Sequence, residues 1–195
     1  MPTTKLTKAF SLFDESNAKD PNTEIVDGKS IAKELVYGQR MSQTLNNFVS
    51  EPSEALQLAA RAQHICRWEI PRNSYPMDRV GYLKWREELK KFHAKKASAI
   101  LQDIEYDEAT IKRVSFLIQK KKLKKDEETQ ILEDVICLVF LEFYYEEFSE
   151  KHTTEKVVDI LQKTWRKMSK DGHQTALKIS YSKKALSLIQ KALAT

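Results

Sequence analysis

Proline is absent after Pro76, and glycine occurs only at positions 28, 38, 81 and 172. These two residues are the strongest breakers of regular structure, so Met77 to Thr195 reads as long helices with short polar joints. The β-branched alternation of strands is nearly missing. The fold class expected is all-α. Cysteine is scarce too: Cys66 and Cys137 are too few and too far apart for a disulfide framework or a zinc knuckle. A reduced compartment follows, cytosolic as the economical reading, with the nucleus left open. No apolar run approaches the ~18–20 residues needed to span a bilayer, and the first residues lack the apolar core of a secretory signal, so no membrane partner is expected. The P-loop, the Gly-rich dinucleotide turn and the zinc-protease helix are all missing.

What is present is a charged, moderately apolar chain of 195 residues, 41% hydrophobic and 31% charged, which suits one soluble domain with its own core. Apolar spacing of three and four places helices over 5–18, 30–49, 52–68, 78–102, 107–121, 126–148, 154–169 and 180–194. Residues 1–50 are expected as a helical hairpin packed on a core of about 51–195. The 126–148 segment is hydrophobic on nearly every side and is expected to be central. The net charge of +5 is modest. Its one dense cluster, Lys120-Lys-Lys-Leu-Lys-Lys125, runs straight into Asp126-Glu-Glu128. This makes a solvated surface a better reading than a nucleic-acid interface.

The chemistry gathers around Arg61-Ala-Gln-His-Ile-Cys-Arg-Trp-Glu-Ile-Pro-Arg72, where a His, three Arg, a Cys and a Trp crowd the end of one apolar run. His93 shares a helical stripe with Leu89, Ala97 and Ile100, so it faces the core. Asp134 lies inside the most apolar segment, where an unpaired carboxylate would cost several kcal/mol. Two imidazoles and a carboxylate on three helices suit Mn, Fe, Zn or Mg. The same residues also have a purely structural reading, as hydrogen-bonded core groups and ion pairs with the nearby arginines. His152 and His173 sit in polar stretches and are expected to be exposed.

Several stretches carry a family resemblance: Asn17-Ala-Lys-Asp-Pro21, 34–41, Arg61 to Arg72, 75–86, Phe92-His-Ala94, Leu132-Glu-Asp134 and Lys163 to Ser169. Through them, over nearly its whole length, the chain resembles DUF4202, a domain of unknown function. A more distant likeness is to the HD-domain superfamily of helical metal-dependent phosphohydrolases, whose pattern is a His, a His-Asp doublet and a later Asp. His64, His93 and Asp134 stand in that order, and Ala94 replaces the aspartate of the doublet.

Two functions follow from these residues. In the first, a phosphohydrolase-like enzyme acts on a nucleotide or other small phosphorylated molecule. His64, His93 and Asp134 hold a divalent metal, Glu133 is the general base, and Arg67, Arg72 and Arg86 grip phosphate oxygens. In the second, a non-catalytic helical module binds through a degenerate HD-like pocket, as Ala94 favours.

Overall fold

Side-chain caps start most of the helices. Ser53, Asp78, Asp107, Asp126, Thr153, Ser169 and Ser182 each accept a hydrogen bond from the backbone N–H three residues on. Each satisfies a helix-end donor and is worth about 1 kcal/mol. The computed structural model describes residues 4–194, and its contacts divide the chain into two compact units, the first ending at Lys122 and the second beginning at Leu123. The chain read in the sequence as one domain is therefore described unit by unit.

The first unit contains α1 (Thr4–Asn17), β1 (Thr23–Val26), β2 (Lys29–Ala32), α2 (Lys33–Phe48), α3 (Glu54–Arg61), α4 (Arg79–Asp103) and α5 (Glu108–Ile118). Helix α3 packs on α1, α2 and α5, and α4 packs on α1 and α5. Phe13, Met41, Leu45, Leu58, Ile65 and Leu117 are fully buried among them. Removing each such side chain from water contributes roughly 1.5–3 kcal/mol.

The strands pair antiparallel, Thr23 opposite Ala32 and Val26 opposite Lys29. Asp27 and Gly28 turn the hairpin with φ of 50° and 76°, as a two-residue primed turn requires. The hairpin corrects the expected helix start at Ser30. The helical spacing of Ile31 and Leu35 masked two very short strands, although Asp27-Gly28 is a hairpin signal. Helix α3 also ends earlier than expected. From Ala62 the chain runs through turns and short 3₁₀ segments at Arg67–Glu69 and Arg72–Ser74. Cys66 takes left-handed backbone there, with φ of 53°.

The second unit contains α6 (Glu127–Val139), α7 (Tyr145–Glu150), α8 (Thr154–Lys167), α9 (Lys170–Ala176) and α10 (Lys183–Leu193). Helix α6 packs on α8 and α9, and α10 packs on α7 and α8. The single helix expected over 126–148 is interrupted by a wide π turn at Phe140–Tyr144, after which Tyr145 is buried and donates to the Ala185 carbonyl at 2.9 Å. Helix α9 was unforeseen, being short and carrying Gly172. The chain is thus mostly helical, with one small hairpin. Among the described residues, no helix is long and apolar enough to cross a membrane.

Candidate functional site

The irregular chain after α3 is anchored by a side chain at the end of α1, and the next turn is tied to α2. Asn17, 1% exposed, accepts the Cys66 N–H at 3.0 Å through Oδ1 and so secures the left-handed residue. Buried Asp20 accepts the Asn22 N–H at 2.9 Å and the Glu34 N–H at 3.1 Å, satisfying a donor at the start of α2. Arg61 closes the same corner by donating from Nε to Asp14 at 2.8 Å. The Cys66 thiol, pushed up to about 11 by burial, is not a nucleophile at neutral pH.

This frame presents His64 between α2 and α4. Its ring stacks on Tyr37, with centroids 3.9 Å apart and planes 10° apart. Arg67 Nη1 lies 2.8 Å from His64 Nε2. A guanidinium only donates, so Nε2 is the acceptor and the ring proton sits on Nδ1. That nitrogen lies 3.3 Å from Glu34 Oε2. Burial, and then the positive charge of Arg67, hold the His64 pKa well below the usual imidazole value. Burial raises that of Glu34.

His93 is 2% exposed, with its ring centroid 5.8 Å from that of His64. Its Nδ1 is 2.8 Å from the Ile65 carbonyl oxygen. A carbonyl only accepts, so Nδ1 carries the proton. Burial lowers the His93 pKa to about 3, so the ring is neutral and Nε2 keeps a lone pair. Nε2 is buried without a hydrogen-bond partner.

Both histidines line a cavity of about 210 Å³. Arg67, Arg86, Lys90 and Lys120 bring four cations to its wall, with Gln63, Tyr82, Trp85 and Leu89 completing it. Trp85 is fixed by its indole N–H, which donates to the Ile70 carbonyl at 2.9 Å, and Arg67 lies over its ring at 5.0 Å. Arg72 is not among the lining residues and donates to the carbonyls of Tyr75, Pro76 and Asp78 at 3.1, 2.7 and 3.2 Å. Its guanidinium braces the loop into α4.

The two acidic candidates, Glu133 and Asp134, lie in the second unit and are engaged there. Glu133 is buried with Lys167 Nζ 3.7 Å away. Asp134 Oδ1 accepts the Ser169 N–H at 2.7 Å and Gln130 Nε2 at 3.2 Å, tying α6 to the start of α9. Gly172 makes this approach possible, since a Cβ there would stand 2.7 Å from Asp134 Oδ1. Gly172→Ala should therefore lose about 2 kcal/mol in urea unfolding: overpacking and a weakened carboxylate bond outweigh the ~1 kcal/mol of helix propensity gained. An unchanged midpoint would show that the carboxylate yields freely. His173, expected to be exposed, is half-buried against Trp165, with ring centroids 4.7 Å apart.

A divalent metal fits this arrangement poorly. His93 has the posture of a ligand, with one nitrogen anchored and the other bare. The His64 nitrogen facing Arg67 already meets a guanidinium, whose charge opposes a cation. Among the described residues, no group of three or more His, Cys, Asp or Glu is placed to hold a metal ion.

The profile of the family described as a domain of unknown function, DUF4202, matches residues 7–189. The chain belongs to this family. No curated protein and no solved structure matches it. In this DUF4202 chain, Asn17, Asp20, Glu34, Tyr37, His64, Arg67 and His93 all lie in the stretches that carry the resemblance, and all meet at the cavity or its frame. Glu34 was the one carboxylate of the site that sequence reasoning missed. Glu34, Tyr37, Gly38, Met41 and Leu45 recur on one buried face of α2, and that pattern was the available signal. Lys120, read as part of a solvated run, lines the cavity.

Proposed function

We propose that the cavity of the first unit binds a small phosphorylated molecule. The observation that carries this reading is the gathering of four cationic side chains around two imidazoles that burial keeps neutral. Arg67 and Arg86 have the forked donors that suit phosphate oxygens, and Lys90 and Lys120 add point charges. Neutral imidazoles leave the cationic wall to the arginines and lysines and offer an acceptor beside it.

This reading takes the chain as a binding module and needs only what lines the cavity. Metal-dependent hydrolysis, the HD-like alternative, needs a ligand set that includes more than His93, and Glu34 is the nearest carboxylate to offer. Titration calorimetry with inorganic phosphate and ribose 5-phosphate at low ionic strength separates them. Saturable binding is expected without added metal. The double variant Arg67→Ala/Arg86→Ala should weaken it at least about tenfold, since each charge-assisted hydrogen bond is worth roughly 1.5–3 kcal/mol. Lys91→Ala, on the exposed face of α4, should leave it unchanged. Absence of binding by the native chain would sink the proposal, and phosphate release that depends on added manganese would favour the hydrolase.

A further inference from the structure

We infer that the ligand is a small phosphorylated polyol, a compact phosphate ester whose free hydroxyls donate to His93 Nε2 and Gln63 Oε1. The inference rests on the phosphate reading of the cavity and extends it. The positive side chains account for an anion, yet they leave unexplained two acceptors carried by residues that line the same space. His93 Nε2 and Gln63 Oε1 are both buried without a hydrogen-bond partner, on residues 2% and 4% exposed. The His93 ring cannot exchange its two nitrogens, because Nδ1–H is committed to the Ile65 carbonyl.

Unpaired buried acceptors are costly, about 1–3 kcal/mol each, so a ligand that supplies donors to them gains affinity. A methyl phosphate dianion can satisfy the cations but brings no donor to the acceptors. A polyol phosphate does both. Size narrows the class further. About 210 Å³ lies below the ~300–1,000 Å³ of cavities that take drug-sized ligands, which favours a short sugar or glycerol skeleton over a whole nucleotide.

The test is titration calorimetry of the full chain with four probes: methyl phosphate, glycerol 3-phosphate, ribose 5-phosphate and AMP. At least one polyol phosphate should bind about tenfold or more tightly than methyl phosphate, one well-made hydrogen bond being worth about that factor. Gln63→Met and His93→Leu should each narrow this gap, whereas Lys91→Ala should leave it unchanged. Gln63→Met carries the test if the melting curve of His93→Leu shows a fold lost. Methyl phosphate binding as tightly as both polyol phosphates would overturn the inference and leave the anion site standing. AMP binding more tightly than either polyol phosphate would overturn it on size. Failure of all four probes would remove the phosphate reading as well.

Discussion

Lowering the pH from 7 to 5 is expected to cost the fold about 2 kcal/mol through His93 alone. The folded ring has its pKa lowered to about 3, against 6.5 when unfolded. Below 6.5 the unfolded chain therefore binds a proton that the folded chain refuses, and stability falls by about 1.4 kcal/mol per unit until the folded value is reached. Above 6.5 the contribution is complete and constant. His64, also held low by burial and by Arg67, acts in the same direction. Glu34 and Asp134 act oppositely, because burial raises both. The His93 contribution is lost from pH 6.5 downward. Urea unfolding at several pH values, together with the His93 ring proton shifts by NMR, measures it. A His93 imidazole that protonates near pH 6 would refute the neutral site on which the binding proposal stands.

Gly81→Ala should be the most damaging single methyl group in the first unit, with a net loss of about 3 kcal/mol. A Cβ at this position would stand 2.1 Å from the Pro76 carbonyl oxygen, a backbone atom that no rotamer change can move. That oxygen is an acceptor for Arg72 at 2.7 Å, so displacing it also disturbs the guanidinium that braces residues 75–78. Overpacking against backbone and a loosened bond both oppose folding, and the helix propensity of alanine returns only ~1 kcal/mol. Tyr82 and Trp85 follow within about one turn of α4, so ligand affinity should fall with stability. A denaturation midpoint within the error of the native chain would mean that the loop gives way at little cost.

Helical periodicity made most of the first unit legible. The core-facing position of His93 follows from its stripe with Leu89 and Ala97, and the crowding of His64 and Arg67 was plain in the sequence. The carboxylate was assigned to Asp134 because an acid in an apolar segment demands partners. It has them, yet they are the Ser169 amide and Gln130 in its own unit. Burial predicts that a charged group is paired, but it is silent about the partner. Glu34 escaped notice because it lies one residue into α2, a place where an acid is also explained by the helix dipole. Arg72 was grouped with the other arginines, yet local carbonyls exposed by the turn at Tyr75 and Pro76 claim it. Residue type suggested a phosphate donor, and backbone geometry three residues away decided otherwise.

The π turn at Phe140–Tyr144 slips one additional residue into what would otherwise be an unbroken helix. Each residue of an α-helix advances about 100° around the axis, so the side chains on its two flanks are out of phase by roughly that angle. Leu138 before the turn and Tyr145 after it are both buried. Shortening this stretch by one would swing Tyr145 away from the Ala185 carbonyl while leaving every amino acid type around it unchanged. Sequences that differ here by a single gap are therefore not interchangeable, however alike they look on either side.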